Sequence, residues 1–276
     1  MAKRTDLIII DPQIDFCRPG PIGDPQRGAL YVDNAENDMA NVAALINKYG
    51  SKLANIHVTL DCHHLIDVAH PKMWRNSKGE NPAPFTVFGS KEIKDGIWTP
   101  IFPQYTQRFI KYCEALEATG RFPLCMWVPH CLIGSDGNTV FPVLFQALMN
   151  WEETYNKNVN YVSKGSNPFT EHYSVIKAEV PDPEDPSTQV NTPLINTWQE
   201  AHQLLWAGEA LSHCLKSSME DAVDISGGDT YLQKVTLLTD GTSPVQSPVT
   251  DFPAIANQFV KDMKARGMKT ALTTDF

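Results

Sequence analysis

Leu7-Ile8-Ile9-Ile10-Asp11-Pro12 is the stretch on which the fold turns. Four consecutive apolar residues with no alternation read as a strand buried on both faces, the signature of a parallel sheet covered by helices. Asp11-Pro12 ends the strand as a turn. Working outward, Asp33 to Asn47 reads as a helix carried by Met39, Val42, Ala43, Leu45 and Ile46. Leu53 to Leu60 reads as a second strand and Leu124 to Val128 as a third. A helix over Thr139 to Trp151 precedes a short strand, Val159 to Val162, and another strand runs from Leu204 to Ala207. Cys214 to Ile225 places Leu215, Met219, Ala222 and Val223 on one helical face. Lys234 to Thr239 is a last strand and Ala254 to Lys264 a last helix. Strands alternating with helices predict an α/β fold: a three-layer α/β/α sandwich around a central, mainly parallel sheet.

The 276 residues are expected to form a single domain. Two segments interrupt the alternation: 65–122, with Pro71, Pro82, Pro84, Pro100 and Pro103, and the acidic, proline-rich 178–193. Both read as insertions, and a lid over the site is the expectation for either. A net charge of −9 argues against non-specific nucleic-acid binding, which needs a cationic face. No apolar run has the length of a membrane span, and the block after Lys3-Arg4 is too short for a signal peptide. The six cysteines, Cys17, Cys62, Cys113, Cys125, Cys131 and Cys214, show no CxxC pairing and are expected to be reduced thiols of a cytoplasmic protein.

In an open parallel sheet, ligands bind beyond the carboxyl ends of the strands. Those ends collect Asp11; Asp61, His63 and His64; His130 and Cys131; Lys164; Ala210 to Cys214; and Asp240. Singly, each has a plain structural explanation: an aspartate caps or turns, a lysine is solvated, an intracellular cysteine packs inward. Cys214 also opens a helix, whose N-terminus favours the reactive thiolate. His213 beside it diverges on the helix and reads as a surface or structural residue. Asp61-x-His63 places a carboxylate and an imidazole together as half of a metal site, with His130, His64, Asp67 or His70 available to complete it.

These residues resemble the isochorismatase-like cysteine hydrolases, and among them the nicotinamidase branch. Leu7 to Cys17 is similar to the family's apolar strand followed by D-x-Q-x-D-F. Asp61-Cys62-His63 is similar to its D-x-H metal motif, and Trp127 to Gly134 to its W-P-x-H-C-x-x-G segment. Lys164-Gly165 matches its lysine, and Glu209 to Cys214 the segment ending in its nucleophile. The resemblance implies a cysteine hydrolase that cleaves a small amide through a thioester, with Asp11, Lys164 and Cys214 as catalytic residues. It implies an oxyanion hole from the amides of Ala210 and Cys214, with a cis bond before Ala210. Asp61, His63 and His130 would hold one divalent ion (zinc, iron or manganese), with Asp67 or His70 as a further ligand. Phe16 and Trp127 would line the substrate pocket, and a homo-oligomer without nucleic-acid or membrane partners is expected. Relatives with the same triad cleave other amides, ureides or vinyl ethers, so a different small-amide substrate with a non-essential metal motif is the alternative. A catalytically silent binding protein is the third reading. The pattern departs from the family at Asp67, where one common form has histidine, at Ser212, where some members are acidic, and in the length of 65–122.

Overall fold

A computed structural model describes residues 4–276. Six parallel strands form the central sheet: β1 (Thr5–Ile10), β2 (Leu53–Asp61), β3 (Asn160–Lys164), β4 (Gln203–Gly208), β5 (Val235–Leu238) and β6 (Lys269–Ala271). Their order is β6-β5-β4-β1-β2-β3, all neighbours parallel. β1 is buried throughout, as its unbroken apolar run requires, and each of its four aliphatic side chains contributes about 1.5–3 kcal/mol by leaving water.

Six longer helices flank the sheet: α1 (Ala35–Tyr49), α2 (Thr106–Thr119), α3 (Pro142–Tyr155), α4 (Thr192–Gln199), α5 (Cys214–Ile225) and α6 (Phe252–Ala265). Right-handed crossovers put α1 and α3 on one face and α4, α5 and α6 on the other, because the chain reverses direction across the sheet after β3. α5 starts at the residue the periodicity predicted, burying Leu215, Met219, Ala222 and Val223. α3 starts with Pro142, whose fixed φ and missing N–H suit a first helical turn. Asn191 starts α4 by accepting a hydrogen bond from the Leu194 amide. Among the described residues no helix is long and apolar enough to cross a membrane.

Three expectations change. Leu124–Val128 is not a strand of the central sheet: only Leu124–Cys125 is extended and paired, antiparallel to Val87–Phe88. Met126 and Trp127 then bury their side chains while their amides bond the carbonyls of Thr86 and Ala69. Segment 65–122 is also more ordered than its prolines predicted. It contains α2, a short ribbon of Trp74–Arg75 with Thr99–Pro100, one strand of a second, and the buried Trp74 and Phe109 that join the main core. Finally, neither 65–122 nor 178–193 contributes a lining residue to the cavity described below, although Phe122 of the first stacks on His213 in its wall.

The order β3-β2-β1-β4 reverses between β1 and β4, which opens a crevice at their carboxyl ends. Register sharpens this. Ile10 pairs with Gly208 and Asp61 with Lys164, so Asp11 and Glu209 leave the sheet side by side while Asp61 and Lys164 end adjacent strands. Gly208 sits at φ +104°, and a Cβ there would lie 2.0 Å from the Ile10 carbonyl oxygen, so only glycine fits.

Candidate active site

Lys164 is the hub of the crevice. Its side chain is fully buried, with Nζ 3.0 Å from Asp11 Oδ2 and 3.1 Å from Asp61 Oδ1. It donates to the His172 carbonyl at 2.9 Å and lies 3.5 Å from Cys214 Sγ. Asp11 turns off β1 with φ +41°. Its amide donates to Thr59 Oγ1 at 2.9 Å, and the Thr59 hydroxyl donates back to the Asp11 carboxylate. Carboxylate oxygens of Asp11 and Asp61 lie with Cys214 Sγ within 4.8 Å of one another. The structure therefore brings the three sequence-derived candidates into contact from β1, β3 and the start of α5.

Charge is distributed by burial and by Lys164. Burial pushes the Asp11 carboxyl up against the pull of Lys164. Burial would lower Lys164, but Asp11 and Asp61 outweigh it and hold the ammonium well above its ordinary range. Burial also pushes the Cys214 thiol well above its usual value, with Lys164 opposing. The helix start was expected to favour thiolate; desolvation outweighs it, and the resting residue is a thiol beside a carboxylate made more basic by its surroundings.

The second cluster adjoins Lys164 through Asp61. Asp61 Oδ2 is 3.0 Å from His63 Nε2 and 3.4 Å from His130 Nε2, and the three ligand atoms lie within 4.8 Å of one another. His130 does not arrive on a neighbouring sheet strand. The His63 amide bonds the Cys131 carbonyl at 3.1 Å and the Ile133 amide bonds the His63 carbonyl at 3.0 Å, so 131–133 runs beside the end of β2 as a single parallel bridge. His130 Nδ1 donates to the Val128 carbonyl at 2.8 Å, which leaves Nε2 free to ligate.

Asp67 and His70 separate cleanly. Asp67 stands behind His63, its Oδ2 3.3 Å from Nδ1, where it orients the imidazole from the far side. His70 bonds the His64 carbonyl through Nδ1 at 3.0 Å, and its buried Nε2 has no partner. The His70 ring is 5.1 Å from His63 and 5.6 Å from His130, and burial lowers its pKa to about 4, so it is neutral. A buried imidazole nitrogen with nothing to bond costs about 1–3 kcal/mol. Asp61, His63 and His130 bring their ligand atoms within 4.8 Å of one another beside it, a donor set that fits a divalent cation. His64 is exposed.

The two clusters are braced by the opening motif. Gln13 donates to the Asp61 carbonyl and accepts from its amide, both at 2.7 Å. Asp15 accepts from the Cys131 amide at 2.6 Å, tying down the loop that carries His130. Together Asp11, Gln13 and Asp15 hold the ends of three other segments.

Solved structures share this arrangement of strands over nearly their whole length. A nicotinamidase/pyrazinamidase of Acinetobacter baumanii superposes with a TM-score of 0.64 at 16% identity, covering 99% of this chain and 98% of that one. The chain has the nicotinamidase fold. The yeast nicotinamidase bound to the inhibitor nicotinaldehyde matches at 0.61 and 19% identity, with coverages of 97% and 99%. The zinc complex of the Pyrococcus horikoshii pyrazinamidase matches at 0.55 and 18%, with coverages of 98% and 99%. No family model matches the sequence, and no curated protein matches it.

On this nicotinamidase fold the crevice holds a cavity of about 360 Å³ including its mouth. Phe16 and Trp127 line it with Asp61, His130, Ala210 and Cys214. His213 is neither exposed nor remote. It is buried in the cavity wall, stacked on Phe122 at 4.9 Å and edge-on to Trp127 at 5.1 Å. Among the described residues the amides of Ala210 and Cys214 donate to no carbonyl of another loop or turn, and the Glu209–Ala210 bond is cis. Sequence reasoning missed Glu171 and Tyr173, which also line the cavity. Glu171 Oε2 is buried without a partner, and burial pushes its carboxyl up to about 7. Tyr173 accepts from Trp127 Nε1 at 3.0 Å. Both lie in 165–178, which carries no periodic signal. All six cysteines are free.

Proposed function

We propose that the protein hydrolyses a small aromatic carboxamide of the nicotinamide type through a thioester on Cys214. The observation that carries this reading is the placement of one buried ammonium, Lys164, against Asp11, Asp61 and Cys214 together. As Sγ attacks the amide carbon, Asp11 takes the thiol proton, and Lys164 steadies both the carboxylate and the developing thiolate. The amides of Ala210 and Cys214 are suited to hold the oxyanion. Asp11 then returns the proton to the departing nitrogen, which leaves as ammonia. Water, deprotonated by Asp11, cleaves the thioester and frees the acid and the thiol. Asp61, His63, His70 and His130 would hold a divalent cation whose Lewis acidity serves to bind a ring nitrogen of the substrate. Phe16 and Trp127 flank the ring. Ammonia release across a panel of small amides and ureides, nicotinamide included, is the test. Turnover of another amide alone would move the substrate assignment, and no turnover of any would remove the hydrolase reading.

Protein purified without chelator is expected to carry about one divalent ion per chain, as sites with three or four such ligands do. His63→Ala and His70→Ala should each lower the metal content measured by elemental analysis, and His63→Ala should also weaken substrate affinity. A metal-free, fully active enzyme would end the nicotinamidase-type reading and leave a broader cysteine amidohydrolase.

Lys164→Ala removes the charge that opposes burial at Cys214, so the thiol pKa rises further. Alkylation of Cys214, followed by mass spectrometry, should then need a higher pH than in the wild type. An unchanged alkylation profile would detach Lys164 from the thiol.

A further inference from the structure

Behind the turn that carries Cys214 lies a second pair of acids that the mechanism does not use. Glu209 leaves β4 fully buried, its amide bonded to the Ile10 carbonyl at 2.7 Å. Asp38, on α1, is 1% exposed. Ser243, after β5, joins the two: its amide donates to Glu209 Oε2 at 3.2 Å and its hydroxyl to Asp38 Oδ2 at 2.6 Å. Ser243 thus holds the two buried carboxyls to one residue, and Glu209 Oε1 has no donor facing it. Carboxylate oxygens only accept, so an orphaned carboxyl oxygen beside a second buried acid is satisfied only when one of the two acids carries a proton. The other groups around the pair are Asn34, which donates to Asp38 Oδ1 at 3.1 Å, Glu36, Asp240 and the Cys17 thiol. Neither carboxyl has a cationic partner in an ion pair among the described residues.

The same loop stitches the nucleophile turn in place. Gly208 donates to Gly241 O at 2.8 Å, Leu211 to Ser243 O at 2.9 Å, and Val245 to Ser212 Oγ at 3.1 Å. Val245 itself lines the cavity.

We propose that Glu209 and Asp38 are positioning residues that share one proton, and that this proton holds the 208–214 turn, with its Ala210 and Cys214 amides, against the catalytic cavity. The catalytic consequence rests on the amidase reading above; the shared proton does not. Two buried carboxylates tied to one serine with no cation paired to either cannot both ionise cheaply. Burial pushes both up, Asp38 to about 6 and Glu209 well beyond its usual range. The folded protein therefore keeps a proton that the unfolded chain has already released. Stability falls as pH rises from the ordinary carboxyl range, and once the proton leaves, repulsion loosens the turn.

The test combines infrared spectroscopy, hydrogen exchange and kinetics on the full chain. At neutral pH the wild type should show a protonated-carboxyl band that is missing from Glu209→Gln and from Asp38→Asn, and in the wild type this band should vanish at alkaline pH. Amide exchange in 208–214 should accelerate over the same pH interval, beyond its intrinsic rise. Glu209→Gln, which keeps a donor without a charge, should retain neutral kcat and lose the alkaline fall in kcat. Glu209→Ala should lose on the order of tenfold or more in kcat with little change in KM, toward the 10²–10³ of a missing oxyanion donor. A difference spectrum without the band, or a Glu209→Gln profile equal to the wild type's, overturns the proposal. If a variant does not fold, the other supplies the difference spectrum, and flat exchange in the wild type overturns it alone. Infrared and exchange need no turnover, so inactivity on every amide would sink the amidase reading and still leave the shared proton to be decided.

Discussion

Cys214→Ala is expected to abolish amide turnover, a loss on the order of 10⁴–10⁶ or more, as for removal of a nucleophile in other covalent hydrolases. The fold should persist. Cys214 is only 6% exposed, but the change deletes one sulfur, and α5 keeps its apolar face. A cost of about 1 kcal/mol is expected, from lost packing at a site that already borders a cavity. Cys131→Ala is the control. Cys131 is also buried, but it serves through its backbone: its amide binds Asp15 and its carbonyl accepts from His63. Alanine keeps both bonds, so Cys131→Ala should remain active. The measurements are ammonia release and unfolding midpoint. An active Cys214→Ala with an inactive Cys131→Ala would reverse the assignment.

Asp11→Asn should produce the second large loss. General-base removal alone costs about 10²–10⁴ in rate. More is expected here, because the resting sulfur is a thiol and Asp11 is the acceptor placed for its proton. The asparagine also cannot pair ionically with Lys164, which would keep only Asp61. Single-turnover measurement with an activated ester separates the steps. Acylation should slow because thiolate formation fails, and thioester hydrolysis should slow because the water has no base. A variant within tenfold of wild type in both steps would remove Asp11 from proton transfer.

How much of this was legible in sequence depended on how local the signal was. Asp11, Asp61 and Lys164 each stand where a strand ends, and in a parallel sheet all such ends face one way. Their convergence was readable without knowing strand order. The exact start of α5 was readable because its apolar period is strong. Leu124–Val128 misled because a five-residue apolar run says that side chains are buried and nothing about which backbone it pairs with; its partner was Val87–Phe88 in a segment read as irregular. α2 was legible and was passed over: Phe109, Ile110, Cys113 and Leu116 repeat at helical spacing, but the prolines just before them dominated the reading. β6 was not legible, since Lys269-Thr270-Ala271 is a half-exposed edge with no alternation. Where Asp67 and His70 stand relative to His63 needed coordinates, because nothing in the sequence says which of them bonds an imidazole from behind. Glu171 was invisible as a site residue, and the burial of Glu209 in its quoted segment was too, since nothing local announces that a carboxyl will be buried.

The sheet order has a further consequence during synthesis. β1 is made before the other strands of the sheet and lies in the middle of the finished sheet, yet one of its two neighbours, β4, is encoded about two hundred residues later, Thr5 pairing with Gln203. At about 5–20 residues per second, the nascent chain holds Leu7–Ile10 with one unpaired edge for roughly 10–40 s. A short, uncharged, aliphatic strand with an open edge is a template for wrong partners. The same placement that puts Asp11 at the centre of the crevice therefore makes β1 the strand most dependent on protection before the chain is released, and slow, non-local closure of the sheet is expected to limit the rate at which the protein reaches its working form.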